Sequence, residues 1–554
     1  MKIIDLSSYR ALTDLEIAQM QSQGCSAADW GSVCVKAGFS ADKIRQVNFS
    51  GKVYLGSNVT LQQVSNICGQ GLTSFGNGDE IGVLKEDGDL EVIMYDGLTS
   101  MEATLEVQEP SVKEMLHAQA KAYAEEIKME GVVIEDNVTV ANVRLLKNVH
   151  LGPCTTVEGA TRLVEVSVNS LAEAPSSIGD NVILEHVIVL SDSHIGDAAQ
   201  LDYCFVGQGC HIGRMFSATQ SLFFANCHFE NGEACALFAG PYSVSHHKAT
   251  LLIACQISFF NAGSGSNQSN HSYKMGPNKY GQLLRGAKLG SSSYVYWPMQ
   301  VGAFSTVIGH HTSHIDLRMF PFSLLLEGVG GRTVIVPGHA FKSVGTRRDV
   351  VKWPKRDHRT EGEATRRDLL NFSMLNPFTV GYINDAVSVL MKLIDEQTPH
   401  EVMGQREGTL YYEYNKCLIG AEQIQHGLED YQKAIEMYLY EQLDKRVKAG
   451  LPLDAENVAL GRWCDYGGMI VPQAEALALL KEGITLPQIQ GHLADFEWNW
   501  AAQQFASFYG KKPADCTQEE IANILENGAK VVAAWNASLD ADGERDLRAC
   551  KICM

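Results

Sequence analysis

Ile178-Gly179-Asp180-Asn181-Val182 is one copy of a sequence motif that recurs along the first two thirds of the chain. The motif consists of an aliphatic residue, then in most copies a glycine, then two or three small or polar residues and a small or branched residue. Ile178 to Ile195 and Ile195 to Ile212 are each 17 positions apart. Because this spacing is close to three six-residue units, it indicates a parallel β-helix whose coils of three short strands pair with one another. Other copies begin at Leu55, Ile134, Leu151, Val206, Leu289, Val301 and Ile308.

The geometry of such a coil explains this motif. The aliphatic side chain points into a narrow core that neighbouring coils fill in register. The glycine or asparagine beside it occupies the corner, where a bulky residue would be strained. The sequence therefore predicts a mainly β protein.

Composition excludes several classes of protein. Acidic residues number 65 and basic residues 45 among 554, and the net charge of -20 repels nucleic acid over most of the surface. The N-terminus lacks the basic start and apolar stretch of a signal peptide, and no run of about 18 apolar residues occurs. We therefore expect a cytoplasmic protein with no membrane partner. Its 14 cysteines show no paired spacing, which is typical of reduced thiols.

Changes of pattern divide the chain into four parts. Residues 1–50 form an N-terminal segment, residues 51–345 carry the repeat, residues 346–369 form a basic linker, and residues 370–554 have the periodicity of an α-helical domain. The repeat is interrupted at about residues 70–130. An Asp-Gly turn predicts an inserted hairpin there, and Pro110 begins a predicted helix.

The densest polar cluster lies between about residues 240 and 285, where the repeat breaks. Ser245-His246-His247-Lys248 is followed there by a segment rich in glycine, serine and asparagine. Such a segment offers hydrogen bonds to a hydroxyl-rich or phosphorylated ligand, and histidine transfers protons near neutral pH. The alternative is a surface loop on a repeat scaffold.

Two further clusters contain residues that could bind a ligand, one of histidines and one of basic residues. His310, His311 and His314 lie close together, but strand alternation sends neighbouring side chains to opposite faces, so no metal site is predicted. The basic residues between Arg347 and Arg367 are interpreted as a solvated linker. Binding of a phosphate or an acidic partner through arginine is the alternative.

The repeat resembles the hexapeptide-repeat, left-handed β-helix superfamily, which includes sugar acyltransferases such as UDP-N-acetylglucosamine O-acyltransferase. The whole chain is similar to uncharacterised β-helix proteins of the Bacteroidetes, some labelled glucose-1-phosphate thymidylyltransferase. Over roughly residues 50–340 the resemblance implies a left-handed parallel β-helix with an inserted hairpin and helix. An α-helical C-terminal domain follows it, and the expected assembly is a homo-oligomer such as a trimer.

In that superfamily a histidine acts as the general base on a sugar hydroxyl or amine while an acyl thioester is attacked. The resemblance therefore makes His246 or His247 the candidate base. It implies a sugar or sugar-phosphate substrate, with acyl-CoA or a nucleotide sugar as a further substrate and no cofactor firmly implied. Candidate substrate-binding residues are Asn267, Asn270, His271, Tyr273, Lys274, Lys279 and Arg285, with Lys279 or Arg285 meeting a phosphate.

Two other functions stay open. A protein related to sugar-1-phosphate nucleotidylyltransferases would carry a glycine-rich phosphate loop ending in arginine, and Gly69-Gln70-Gly71-Leu72-Thr73 lacks that arginine. A non-catalytic β-helix scaffold or carbohydrate-binding module would need none of the histidines. The leading prediction is an acyltransferase-like transferase acting on a sugar or sugar nucleotide.

Overall fold

A computed structural model of the protein describes residues 5–362, 364–456, 460–481 and 486–552. The chain divides into two compact units. The first consists of Met1–Gly281 and Asp357–Asp368, and the second consists of Gln282–Arg356 and Leu369–Met554. Parallel strand pairing dominates the first unit, and long helices occupy much of the second.

Short strands of the first unit pair in parallel with the strand one repeat later. His194 pairs with Ser177 before it and His211 after it, and His211 pairs in turn with His228, so that each partner lies one repeat away along the chain. The strands are Tyr9–Ala11, Ser26–Ala27, Val33–Lys36, Ile44–Gly51, Val53–Leu55, Thr60–Gly69, Leu72–Thr73, Glu80–Gly82, Glu91–Ile93, Met129–Glu130, Val132–Ile134, Thr139–Val143, Leu145–Leu151, Thr156–Glu158, Arg162–Asn169, Ser177–Ile178, Ile183–Leu190, His194–Ile195, Gln200–Val206, His211–Gly213, Ser217–Phe223, His228–Glu230, Glu233–Cys235, Phe238–Ala239, Val244–Ser245, Leu251–Ile253, Cys255–Ile257, Asn261–Ala262 and Asn267–Ser269.

Asparagine occupies sharp corners between these strands. Asn58, Asn137 and Asn181 all have left-handed backbones, with φ of 57°, 61° and 57°. Asparagine tolerates this region better than most residues do. Asn58 Nδ2 also donates a hydrogen bond of 2.8 Å to Asn137 Oδ1, so successive corners are joined. The predicted corner position is therefore confirmed for asparagine, whereas the glycine that follows the aliphatic residue, such as Gly179, does not have a left-handed backbone.

The insertion packs on one outer face of the strands. It contains the antiparallel pair Glu80–Gly82 with Glu91–Ile93 and the helices Ser100–Gln108 and Pro110–Ile127. Its apolar residues form one buried cluster with Ile188 and its register partners along the sheet. The strand Ile183–Leu190 has apolar neighbours on both of its faces, because the insertion covers the outer one. The last four residues of this strand are therefore all buried. The predicted hairpin and helix are confirmed, and the insertion also contains a second helix.

A hydrogen bond from the insertion to the sheet joins His186 Nδ1 and Asp79 Oδ2, which are 2.8 Å apart. This contact raises the pKa of His186 above its ordinary value of 6.5, against the opposing effect of burial. The His186 ring also stacks on Tyr203 with the ring centres 4.4 Å apart.

Asp79→Asn is expected to destabilise the protein in a pH-dependent manner. A histidine whose pKa is raised by folding contributes its full stabilisation below the unfolded pKa, and that contribution disappears as the pH rises through the folded pKa. The difference in free energy of unfolding between wild type and variant should therefore be largest below the ordinary histidine pKa of 6.5 and vanish in alkaline solution. Urea denaturation at a series of pH values measures it, and an equal difference at every pH would contradict the assignment.

The end of the predicted basic linker, Asp357–Asp368, belongs to the first unit. Arg359, Thr365 and Asp368 are buried there, so the interpretation as a solvated linker is wrong for these three residues. Arg359 is only 4% exposed. Its Nε and Nη2 each donate a 2.9 Å hydrogen bond to the carboxylate of Asp357, and Nη1 donates to the backbone oxygen of Asp368. The Asp368 carboxylate accepts from the backbone N–H of Ser100 at 2.8 Å. Internal neutralisation lets this charged segment pack against the insertion.

Arg359→Met should lower the free energy of unfolding by about 3 kcal/mol, because removing one partner of a buried ion pair leaves the other charge uncompensated. Urea denaturation followed by tryptophan fluorescence measures the change. Lys355→Met is the matched control, since Lys355 is exposed in the same basic stretch. Equal stability of the two variants would contradict a structural role for the arginine.

The predicted N-terminal segment contains strands that continue the parallel pairing. Val33–Lys36 pairs with Val53–Leu55, and Ile44–Gly51 pairs with Thr60–Gly69. These strands were missed because no glycine follows their aliphatic residues. The repeat therefore begins before residue 51.

The second unit contains parallel strands at its start and helices interspersed with short strands after residue 369. Gln282 pairs with Gln300, and Lys288 pairs with Thr306, at an offset slightly longer than the repeat of the first unit. The strands are Gly281–Leu283, Lys288–Leu289, Tyr294–Tyr296, Gln300–Val301, Thr306–Ile308, His310–His311, Asp316–Leu317, Leu324–Glu327, Thr333–Val336, His400–Glu401, Leu410–Tyr414, Cys417–Gly420, Trp463–Tyr466 and Met469–Pro472. The helices are Val344–Lys352, Pro377–Glu396, Ala421–Lys448, Gln473–Lys481, Leu486–Tyr509 and Gln518–Ile552.

The predicted helical C-terminal region is thus confirmed, although it also contains strands. Ile424, Tyr431 and Tyr438 belong to the buried face of the helix Ala421–Lys448. No helix among the described residues is both long and apolar enough to cross a membrane.

Candidate functional site

A cleft of about 120 Å³ opens in the first unit beside the insertion. It has room for several water molecules or for part of a sugar ring. Its lining combines two acidic residues, one histidine, one arginine and one amide with small residues and with apolar residues such as Ile127 and Leu171. The lining residues are Asp96, Tyr123, Ile127, Glu135, His150, Gly152, Pro153, Asn169, Ser170, Leu171 and Arg367.

A histidine and a carboxylate form the chemical centre of this cleft. His150 is 8% exposed, and its Nε2 lies 2.8 Å from Glu135 Oε1. Strand pairing sets this contact, because Val133 pairs with His150 and Glu135 directly follows the same strand. When Nε2–H donates to the carboxylate, the lone pair on Nδ1 is left to accept a proton. This arrangement is typical of a histidine that acts as a general base.

Asp96 is the second carboxylate in the lining of the cleft. Tyr123 Oη donates to Asp96 Oδ2 at 2.9 Å, and Asn169 Nδ2 donates to Asp96 Oδ1 at 2.7 Å. Burial and then the nearby Asp96 charge raise the pKa of Tyr123, so its hydroxyl keeps its proton. The network therefore holds these polar groups in defined orientations.

Arg367 supplies the cleft's positive charge. Its Nη1 donates to the backbone oxygen of Asp96, and its backbone N–H donates to Gln208 Oε1 at 2.9 Å. The arginine lines the cleft because the segment Asp357–Asp368 is part of the first unit. Arg367 belongs to the run interpreted as a linker, so its role in the cleft was not predicted.

The predicted catalytic histidines lie elsewhere in the first unit. His246 and His247 are both exposed, and neither is among the residues that line the cleft. The predicted break around them also continues the strand pairing, since Val244 pairs with His228 and with Asn261. The His246 ring lies 4.3 Å from the His228 ring, centre to centre.

The predicted substrate-binding residues do not form one surface with the cleft. Asn270 is buried, and its Nδ2 donates to Glu86 Oε1 at 3.1 Å. The Lys279 backbone N–H donates to the backbone oxygen of Asn270, which gives the segment an internal structural contact. The other four of the first unit, all exposed, are Asn267, His271, Tyr273 and Lys274.

Arg285 is not available to a phosphate, so this prediction is wrong. The residue is 1% exposed within the second unit. Its Nη2 donates to the backbone oxygen of Asn371, and its Nη1 lies 3.6 Å from Asp465 Oδ2. Burial raises the pKa of Asp465, and the neighbouring guanidinium opposes that rise. The arginine neutralises a buried carboxylate instead of contacting solvent.

A ladder of histidines on the first unit was missed. His194, His211 and His228 occupy the same register position in successive strands, and we call them the histidine ladder. The even spacing of these histidines, one repeat apart, was the available sequence signal. Ring centres lie 5.0 Å apart for the first pair and 4.6 Å apart for the second. Burial, followed by the charge of His246, lowers the pKa of His228 to about 4.

The second unit has a cavity of about 320 Å³ with aromatic walls. The Arg462 guanidinium lies over the Tyr382 ring, 4.9 Å from its centre. Trp463 is 4% exposed, and its buried indole N–H has no hydrogen-bond partner among the described residues. The lining residues are Pro377, Phe378, Gly381, Tyr382, Asp385, Gly461, Arg462, Trp463 and Trp500.

Comparison with protein families classifies most of the chain. Residues 9–60 and 55–394 match a family described as Domain of unknown function (DUF4954). The chain belongs to the DUF4954 family. Residues 444–551 match a second family, described as Domain of unknown function (DUF6819). The DUF4954 match includes the cleft and the histidine ladder, whereas Trp463 and Trp500 fall within the DUF6819 match.

An uncharacterized protein of Treponema pallidum (strain Nichols) is similar to this DUF4954 chain. The two are 23% identical over 370 residues, which make up 62% of this chain and 49% of the relative. The chain thus spans about half the length of the curated relative that it matches.

Proposed function

We propose that this DUF4954 protein is a transferase that modifies a sugar or sugar nucleotide in the cleft, with His150 as the general base. The observation that supports the proposal most directly is the 2.8 Å contact between His150 and Glu135 in the lining of the cleft. The scaffold we propose is a left-handed parallel β-helix of the hexapeptide-repeat type. In-register parallel pairing of successive repeats and asparagine corners support that scaffold.

The proposed reaction is acyl transfer from a thioester such as acyl-CoA. His150 removes the proton of an acceptor hydroxyl, the hydroxyl oxygen forms a bond to the acyl carbon, and the carbon–sulfur bond breaks. The departing thiolate then takes the proton from the imidazolium, so the thiol product and the histidine are both neutral again. Glu135 orients the ring and stabilises the imidazolium while it exists.

Charge in the cleft favours hydroxyl groups over a free phosphate at its centre. Two carboxylates, those of Asp96 and Glu135, line the cleft together with one guanidinium, that of Arg367. Carboxylate and amide oxygens accept hydrogen bonds from sugar hydroxyls, and the Asn169 amide also donates. The reacting part of the acceptor is therefore the hydroxyl-bearing ring, while any phosphate of a sugar nucleotide lies toward Arg367.

His150→Gln is expected to reduce turnover about 10²- to 10⁴-fold, because it removes the proton acceptor from the reaction. The measurement is the rate of thiol release from acetyl-CoA in the presence of UDP-N-acetylglucosamine or another sugar nucleotide. Thermal unfolding of the variant tests whether the buried ring also supports the fold. Isothermal titration tests whether substrate binding survives the substitution.

His247→Gln is the matched control for that experiment, since His247 is exposed and outside the cleft. Its rate should equal that of wild type. Loss of activity in His247→Gln alone would restore the base predicted from the sequence. Absence of both thiol release and binding heat with wild-type protein would contradict the transferase proposal.

The aromatic cavity favours a second candidate function, a carbohydrate-binding module in the second unit, lined by residues of both the DUF4954 and the DUF6819 matches. Tryptophan and tyrosine rings pack on the apolar faces of sugars, and Arg462 and Asp385 add polar groups beside them. The partnerless indole N–H of Trp463 is a donor that a ligand hydroxyl would satisfy. This function requires no turnover in the cleft of the first unit.

Gly381→Gln should block sugar binding to the cavity without loss of stability. Gly381 lines the cavity within the helix Pro377–Glu396, and no atom lies within 4 Å of the position of an added Cβ. Replacing a helical glycine also favours the helix by several tenths of a kcal/mol, about 0.5. Titration of monosaccharides and sugar nucleotides, followed by tryptophan fluorescence, measures the binding.

Gly491→Gln is the control, because Gly491 is also helical, has the same open surroundings and does not line the cavity. It should bind sugars as wild type does. Equal affinity in the Gly381 and Gly491 variants would show that any bound sugar lies outside the cavity.

A further inference from the structure

Two histidines of the ladder and a carboxylate converge on one point of the first unit. His211 and His228 are register partners on adjacent parallel strands. Glu230 is two residues after His228 in the same strand, so both side chains lie on the same face. Phe229, between them, is fully buried on the opposite side. The backbone register alone therefore places the three side chains together.

We propose that His211, His228 and Glu230 bind a divalent transition-metal ion of the zinc type. Their potential ligand atoms all lie within 4.8 Å of one another. Glu230 Oε1 is 3.2 Å from His228 Nε2 and 3.8 Å from His211 Nε2. Ligand atoms around tetrahedral zinc are about 3.4 Å apart, given zinc–ligand distances near ~2.1 Å. Small side-chain rotations bring this set to that geometry.

The types of donor select the class of ion. Two imidazole nitrogens and one carboxylate oxygen suit zinc and its neighbours in the first transition series, whereas calcium and magnesium prefer oxygen donors alone. Three protein ligands leave a fourth tetrahedral position for water, as in zinc sites that activate water. The site therefore has the donor set of a reactive zinc centre rather than that of a closed structural one.

The surroundings orient the carboxylate toward the histidines. Arg214 Nη1 lies 3.0 Å from Glu230 Oε2, which leaves Oε1 as the oxygen nearest the two rings. Such outer contacts orient metal ligands in many sites. The guanidinium also carries a positive charge that opposes a cation nearby, and its side chain is 64% exposed, so it can move away when the ion binds.

The test uses full-length protein without a polyhistidine tag, treated with a chelator and then titrated with Co²⁺ and Zn²⁺. Wild type is expected to bind one Co²⁺ at this site, with the visible absorption of tetrahedral coordination, and Zn²⁺ should displace it. The double variant His211→Ala/His228→Ala should lose that signal. Glu230→Gln should weaken Zn²⁺ binding at least 10-fold. Arg214→Gln should bind Zn²⁺ several-fold more tightly, because the opposing charge is gone.

Two controls make the outcome decisive. His247→Ala removes an exposed histidine outside the triad and should bind metal as wild type does. His150→Gln should also bind normally, which separates failure of the metal site from failure of the transferase proposal. Unchanged affinity and stoichiometry in the double variant would overturn the assignment, and so would the absence of Zn²⁺ binding by wild type at millimolar concentration.

Discussion

In-register parallel pairing at a constant offset of one repeat is the constraint on which the first unit depends. Each strand is too short to bury its apolar residues alone, so it is stable only when its backbone pairs with the strands before and after it. Because the offset is fixed, residues of the same chemical type lie next to one another on successive strands. Ile195, Ile212 and Phe229 line up inside, and the histidine before each of them lines up outside.

The same regularity creates surfaces that other parts of the chain must cover. Ile188, Phe205 and Leu222 stand at one register position on an outer face, where they would expose a continuous apolar stripe. The insertion covers this stripe with its hairpin and helices. In the two preceding strands the same register position is occupied by polar residues, Ser167 and then His150. The cleft thus lies beside the insertion, where the residues at this register position change from apolar to polar.

Buried charges are neutralised locally in both units. Arg359 is held by Asp357 two residues away, and Arg285 is held near Asp465. An isolated buried charge would cost several kcal/mol, about 3 or more, so these arginines are structural. A basic run in a sequence is ordinarily interpreted as a solvated surface, and that inference fails here because the matching carboxylates are close by in the chain or in space. Arg367, in the same run, instead reaches the cleft.

By itself the sequence determined the strand period, the asparagine corners, the inserted hairpin and helix, and the helical C-terminal region. These features arise from interactions between residues that are near in sequence or one repeat apart, so a pattern of residue types records them. Only the tertiary structure decided that Arg367 contacts Asp96 from a distant part of the chain. It likewise decided that Arg285 is buried. Contacts of this kind depend on how segments that are distant in sequence, such as Asp357–Asp368, pack on the strands of the first unit. No local pattern of residues encodes that information.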